Sequence, residues 1–217
     1  MTKPIRGLIF DMDGTLVDNM RFHDDSWEKW HADLGLPFDR AGFFGRTAGR
    51  SGPEIIGEMF PGKSRAELIA LEDAKEVIYR ALYHPHLAPM AGLLPLLDQA
   101  DAHGLPMAVG TAAPPGNVDF TLDGLGLRHR FRTIVSPSQG FRGKPHPDMF
   151  LAAAERMGVP PEECLVFEDA PLGVEAARRA GMRAVVLLTT APAETFAHFA
   201  HVIALAPDFA SLDLTFG

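Results

Sequence analysis

The sequence has little cysteine and no long apolar run. Its single cysteine excludes an intrachain disulfide, and there is no cluster of cysteine and histidine that would hold structural zinc. The first residues lack the apolar segment and small-residue cleavage site of a signal peptide, and no run approaches the roughly 18 apolar residues that cross a bilayer. We therefore expect a cytoplasmic protein with no membrane partner.

Positive charge is also scarce. The chain has 20 Lys and Arg residues against 28 Asp and Glu, a formal net charge of -8 at pH 7. Binding to a nucleic-acid backbone needs clustered cations, so nucleic acid is not expected as a partner. An anionic substrate can bind only where a metal ion or a few placed cations reverse the field locally. No long exposed apolar stripe demands a partner, so we expect a monomer.

Short apolar runs alternate with helix-length segments over most of the chain. The runs that predict strands lie at 7–10, 107–109, 133–135, 165–167, 184–188 and 202–205. This alternation is typical of a parallel sheet buried on both faces, so we predict a doubly wound, Rossmann-like α/β fold.

One interval breaks that alternation. Residues 18–86 contain only helical patterns, and this stretch is too long for a simple crossover between parallel strands. Helices are predicted over 20–34, 52–60 and 66–83. We therefore predict a small all-helical domain at 18–86, inserted into a core made of 1–17 and 87–217.

Polar residues follow three of the predicted strands at the points where they end: Asp11 and Asp13, then Thr111, then Glu168 and Asp169. Ligands of an open parallel sheet bind outside the carboxyl ends of its strands, so these groups should converge. Lys144, just before a predicted helix, could reach the same edge. Clustered carboxylates repel one another unless a cation neutralises them, and Mg²⁺ suits such oxygen ligands.

The Asp-Met-Asp-Gly-Thr segment after the first strand is the decisive pattern. An aspartate such as Asp11 can attack phosphorus and form an acyl phosphate that water then cleaves. A second carboxylate, Asp13, can exchange protons with the leaving oxygen and the attacking water. Lys144 and the Thr111 hydroxyl could hold the phosphoryl oxygens. Taken alone, the segment could also be a simple hydrogen-bonded turn, and Thr111 could simply cap the next helix.

Four segments in order resemble the motifs of the haloacid dehalogenase-like superfamily, in its phosphotransferase branch: residues 11–15, 109–111, 144–145 and 168–173. The resemblance spans essentially the whole chain. It implies that Asp11 is the nucleophile and Asp13 the acid and base, with Thr111, Ala112 and Lys144 at the phosphate. It also implies that Mg²⁺ is held by the Asp11 carboxylate, the Asp13 carbonyl and Asp169, with Glu168 in supporting contact through water.

The helical insertion resembles the small cap of the β-phosphoglucomutase-like subgroup, which includes many sugar-phosphate phosphatases. In that subgroup, residues placed like His23, Arg50 and Lys75 contact the sugar or a second phosphate. A core histidine and ordinary solvated cations remain the alternative interpretation of these three. The loop 112–117 replaces the subgroup's usual serine-rich loop, and Asn117 could supply a contact there.

These observations together predict a Mg²⁺-dependent phosphatase of a small phosphorylated metabolite, most simply a sugar phosphate. A phosphomutase of the β-phosphoglucomutase kind shares nearly every residue named, and only the altered loop after Thr111 favours hydrolysis. A phospho-accepting receiver domain is a distant alternative, because receivers are shorter, lack a helical insertion and carry the acceptor on a later strand.

Overall fold

The predicted strands form one parallel sheet of six, in the order β3-β2-β1-β4-β5-β6. The protein is described by a computed structural model covering residues 3–47, 50–214 and 216. The strands are β1 Gly7–Phe10, β2 Met107–Gly110, β3 Thr133–Val135, β4 Cys164–Glu168, β5 Arg183–Leu187 and β6 Val202–Ala206. The doubly wound prediction is confirmed, with β1 in the middle of the sheet.

Helices cover both faces of this sheet. They are α5 Leu93–Ala102, α6 Pro115–Gly124, α7 Asp148–Met157 and α8 Pro171–Arg179. Successive strand residues point to opposite faces, so Leu8 and Phe10 pack in a cluster with α5 and α6, whereas Ile9 packs with α7 and α8. Burial on both sides explains why these strands read as continuous apolar runs rather than as alternating ones.

Four further helices lie between β1 and β2: α1 Met20–Asp33, α2 Arg40–Thr47, α3 Gly52–Met59 and α4 Arg65–Tyr83. They share an apolar cluster of their own, in which Trp27, Trp30 and Ile56 are buried. Helix α2 was not predicted from the sequence, because its two glycines weaken the helical pattern. Within the described residues, no helix combines the length and apolar character needed to cross a membrane.

The register of the central strands brings the predicted site residues together. Phe10 pairs with Val109 of β2 and with Phe167 of β4, so the residues after these three positions start from neighbouring points on one edge. The backbone N–H of Asp11 continues this pairing by donating to the carbonyl of Phe167 at 2.9 Å. The ends of β1, β2 and β4 therefore place Asp11, Thr111 and Glu168 side by side.

The stacked rings of Phe10 and Phe167 pack the ends of β1 and β4 against each other inside the core. Their ring centroids are 4.7 Å apart with an interplanar angle of 7°, and both side chains are fully buried.

We expect Phe167→Ala to lower the free energy of unfolding by about 3–5 kcal/mol, because it leaves a cavity in the core. Urea unfolding measures this loss. Leu151→Ala, at a position 39% exposed on α7, is the control and should cost well under half as much; equal losses would contradict the packing argument.

Candidate active site

A buried ammonium group joins the residues at the strand ends. Lys144 Nζ donates to Asp11 Oδ1 and to Glu168 Oε1, at 2.5 Å in each case. All three side chains are buried, with relative exposures of 4%, 6% and 0%. Because charged hydrogen bonds strengthen in a low-dielectric interior, this pair of contacts fixes the Asp11 carboxylate at the carboxyl end of β1.

The other oxygen of Glu168 is held by the backbone that follows β4. Its Oε2 accepts hydrogen bonds from the N–H groups of Asp169 and Ala170, both at 2.9 Å. Gly173 makes room for this carboxylate, since a Cβ there would overlap it. Both oxygens of Glu168 are thus hydrogen-bonded within the protein.

Asp169 lies against the turn that carries the first motif. Gly14 has φ of 76°, and a Cβ at this position would overlap the Asp169 carboxylate. Two threonines after β5 complete the contact: Thr190 donates to Asp169 Oδ2, and Thr189 donates to the carbonyl of Gly14 at 2.6 Å. Glycine is therefore required at position 14 both by backbone conformation and by close approach.

Asp11, Glu168 and Asp169 each offer a carboxylate oxygen, and these oxygens lie within 4.8 Å of one another. Burial, together with the charge of Glu168, raises the pKa of Asp11 to about 7 although Lys144 opposes the shift. Burial and the charges of Glu168 and Asp11 raise the pKa of Asp169 well above its usual value. Three buried carboxylates facing a single ammonium group carry excess negative charge. Hard oxygen ligands with excess negative charge fit Mg²⁺.

Asp13 is held apart from this cluster by a different set of partners. Its Oδ1 accepts a hydrogen bond from Asn19 Nδ2 at 2.6 Å and lies 3.6 Å from His23 Nε2. Burial raises the pKa of Asp13, but His23, Asn19 and the charge of Lys75 outweigh it and hold the pKa below its usual value. Before substrate binds, Asp13 is therefore ionised and can accept a proton.

Helix α4 supplies the next layer around Asp13. The Tyr79 hydroxyl lies 2.6 Å from Asn19 Nδ2, and its ring stacks on His23 with centroids 3.9 Å apart. Lys75 Nζ lies 3.3 Å from His23 Nδ1 and donates to Glu76 Oε1 at 2.8 Å. The predicted residues His23 and Lys75 therefore belong to one buried network that ends on Asp13.

This network continues from α4 to the first turn of α6, which follows the loop after β2. Asn117 donates to Glu76 Oε2 at 2.8 Å, and its carbonyl oxygen accepts from Arg80 at 2.8 Å. Both ends of the Asn117 amide are thus engaged by α4. Thr111 Oγ1 accepts the N–H of Ala113 at 3.1 Å, which fixes the start of the loop and leaves the Thr111 hydroxyl proton to donate elsewhere.

Every site residue predicted from the sequence lines one cavity of about 100 Å³: Asp11, Asp13, His23, Arg50, Lys75, Thr111, Ala112, Asn117, Lys144, Glu168 and Asp169. Arg50 is the least committed to it, because its guanidinium group also pairs with Glu58 at 2.5 Å. The cavity has the sheet edge as its floor and α1, α3 and α4 as its roof.

Comparison with known proteins agrees with this geometry. The family model described as haloacid dehalogenase-like hydrolase matches residues 5–181. The chain belongs to the haloacid dehalogenase-like hydrolase family. Among its relatives in that family, fructose-1-phosphate phosphatase YqaB of Escherichia coli is 39% identical over 184 residues, covering 82% of this chain and 94% of the relative. Beta-phosphoglucomutase of Bacillus subtilis is 32% identical, covering 83% and 82%.

A solved member of the family has the same overall fold. The crystal structure of CbbY from Rhodobacter sphaeroides in complex with phosphate superimposes with a TM-score of 0.81 at 27% identity, covering 96% of both chains. Because that match extends over nearly the whole chain, it includes the helical insertion as well as the sheet.

Several residues around this site were not predicted from the sequence: Asn19, Glu72, Glu76 and Tyr79, which are buried, and Thr190, which is partly buried and donates to Asp169. Apart from Thr190, each lies on or beside a helix of the insertion, where a polar residue on a helical face reads as solvated. The one available signal was the spacing of Glu72, Lys75, Glu76 and Tyr79, which puts all four on a single face of α4.

Burial of Glu72 lowers the free energy of unfolding by an amount that depends on pH. Burial first, and then the charge of Glu76, raise its pKa from 4.5 to about 7. When folding raises the pKa of a carboxyl group, the protein loses stability as pH rises from the pKa of that group in the unfolded state to its pKa in the folded state. We expect Glu72→Gln to raise the free energy of unfolding by up to about 3 kcal/mol well above pH 7.

Urea unfolding across the pH range measures this difference, which should vanish below pH 4.5, where Glu72 is protonated in both states. Asp73→Asn is the matched control, because it removes the neighbouring carboxylate from the exposed face of the same helix. A Glu72→Gln variant with the pH profile of the native chain would contradict the assigned burial cost.

Proposed function

We propose that this chain is a Mg²⁺-dependent phosphatase that hydrolyses a small phosphorylated metabolite, a sugar phosphate, through an aspartyl phosphate on Asp11. The observation that carries the proposal is the position of Asp11. It is buried at the end of the central strand, bonded to Lys144, and shares one cavity with Asp13. Membership of a hydrolase family with a sugar-phosphate phosphatase among its members supports this substrate class.

In the first half of the reaction, a carboxylate oxygen of Asp11 attacks phosphorus and the bond from phosphorus to the leaving oxygen breaks. Asp13 is ionised before substrate binds, but an arriving phosphate dianion raises its pKa, so Asp13 takes up a proton from solvent as the substrate binds. Asp13 then gives this proton to the leaving oxygen. Lys144 and Thr111 neutralise and orient the phosphoryl oxygens.

In the second half, Asp13 removes a proton from a water molecule, whose oxygen attacks the same phosphorus. The bond between phosphorus and Asp11 then breaks, which releases inorganic phosphate and restores the carboxylate. Lys144 remains next to Asp11 throughout and stabilises it as a leaving group.

The metal site of the proposal comprises the carboxylates of Asp11 and Asp169 and the backbone carbonyl of Asp13, with Glu168 outside them. When bound there, Mg²⁺ supplies positive charge that offsets the repulsion between these carboxylates and the substrate phosphate.

We also propose that residues 18–86 act as a cap on a core made of 1–17 and 87–217. The cavity of about 100 Å³ is smaller than the roughly 300 Å³ of a small-molecule site, so substrate entry requires the helical segment to move away from the sheet. Its return would exclude bulk water and bring α4 against Asp13.

Removal of the nucleophile is the first test. We expect Asp11→Asn to abolish phosphate release, with a fall of more than about 10³-fold in kcat, because the amide cannot attack phosphorus. Asp13→Asn should lower kcat by about 10²- to 10⁴-fold through loss of proton transfer. A phosphate-release assay on a panel of sugar phosphates with and without Mg²⁺ measures both effects.

Asp18→Asn is the matched control, because Asp18 belongs to the same segment but is exposed. Near-normal phosphate release by Asp11→Asn would refute the mechanism. Product analysis with β-glucose 1-phosphate and a trace of its bisphosphate then separates hydrolysis from the mutase reaction of the Bacillus subtilis relative. Free phosphate supports the phosphatase, and accumulation of glucose 6-phosphate would make the chain a mutase.

Metal binding has a readout that does not depend on turnover. A ligand at about 100 times its Kd stabilises the folded state by about 2.7 kcal/mol, so Mg²⁺ should raise Tm by several degrees. Asp169→Asn should raise the metal-free Tm, because it relieves repulsion in the carboxylate cluster, and should abolish the Mg²⁺ response. Differential scanning calorimetry tests both, with Asp18→Asn as control. A Mg²⁺ response that survives Asp169→Asn would contradict the site.

A further inference from the structure

Glu72 is a buried carboxylate in the wall of the cavity that the proposed reaction does not use. It is 6% exposed and projects from the same face of α4 as Lys75 and Glu76. Its oxygens lie close against Gly52 at the start of α3, whose backbone N–H donates to it. The Glu72 side chain is therefore fixed in place in the wall of the cavity.

Glu72 forms no ion pair with any cation within the described ranges. The charge of Lys75 opposes the rise in the pKa of Glu72, but Lys75 Nζ donates to Glu76, at 2.8 Å, and not to Glu72. Arg50, the other cation on this side of the cavity, pairs with Glu58. A buried carboxylate without a counter-charge is costly, so a bound molecule that donates hydrogen bonds to Glu72 recovers part of that cost.

Glu72 also borders both the inner cavity and the larger groove outside it. The inner cavity of about 100 Å³ adjoins an outer groove of about 880 Å³, and both are bordered by Glu72, Ala112, Ala113 and Pro114. The inner cavity has room for the phosphoryl group and few other atoms. A leaving group of sugar size must therefore extend past Glu72 into the groove.

We propose that Glu72 is a specificity-determining residue that favours phosphate monoesters whose leaving group presents hydroxyl or amino groups, and that it disfavours esters carrying a second phosphate. This inference rests on the proposed phosphatase function. Hydroxyl and ammonium groups donate hydrogen bonds to the carboxylate. A second phosphate, when ionised, only accepts hydrogen bonds. It would meet Glu72 where Lys75 and Arg50 are already paired, and in the groove it would meet Glu54 and Asp73 beside Arg65 and Arg142, of which Arg142 already pairs with Asp148.

The test compares two esters that differ by one phosphate, fructose 1-phosphate and fructose 1,6-bisphosphate, above pH 7, where Glu72 is ionised. The native chain should have the higher kcat/KM for the monophosphate. Glu72→Gln keeps the shape and the acceptor for Gly52 but removes the charge, so it should narrow the ratio about tenfold, chiefly through a lower KM for the bisphosphate. Glu155→Gln, the same substitution at an exposed position of α7 that borders neither the cavity nor the groove, should leave the ratio within about twofold.

The outcomes separate this inference from the proposed function. Hydrolysis of both esters by Glu72→Gln with the native ratio overturns the role of Glu72 and leaves the phosphatase proposal intact. If only p-nitrophenyl phosphate is cleaved, the two fructose esters are compared as inhibitors of that reaction. The ratio of their inhibition constants then replaces the ratio of kcat/KM, and an unchanged ratio in Glu72→Gln overturns the role of Glu72 in the same way. A chain that releases phosphate from neither the aryl nor the sugar esters refutes the phosphatase proposal, and the inference with it.

Discussion

The contact of Lys144 with Asp11 and Glu168 is the interaction on which the site depends. Parallel strands that end at one edge bring acidic residues closer than their charges would allow in isolation. One buried ammonium group, 2.5 Å from two of the carboxylates, permits them to remain there. Burial disfavours the charged form of Lys144, but Asp11 and Glu168 outweigh burial and raise its pKa, so the ammonium is retained.

A single ammonium group leaves that cluster incompletely neutralised, and this imbalance is chemically useful. A site whose own charges cancelled would gain little from a divalent cation. Here the raised pKa values of Asp11 and Asp169 record the excess negative charge that a cation would relieve. The carboxylates can crowd together in this way because the glycines at 14 and 173 have no side chains.

The sequence predicted the sheet and its edge well because both follow from local rules. An apolar run that stops at an acidic residue identifies a buried strand and a ligand-binding end together, which is why Asp11, Thr111 and Asp169 could be named in advance. The contacts that surround the site away from the strand ends were harder to predict. Tyr79 reaches Asn19 across 60 positions of sequence, and Thr190 reaches Asp169 from beyond β5. Such contacts depend on how helices pack, and no short pattern records them.

Helix α4 serves two tasks at once. Through Tyr79 and Lys75 it contacts the residues that hold Asp13 in place, and one turn earlier it presents Glu72 to the passage between cavity and groove. Because a helix is rigid over this distance, a movement that brings Glu72 to the leaving group also brings Tyr79 to Asn19. A substrate that donates hydrogen bonds to Glu72 would therefore favour the same position of α4 that organises the acid and base, so that selection and catalysis would be coupled through one element.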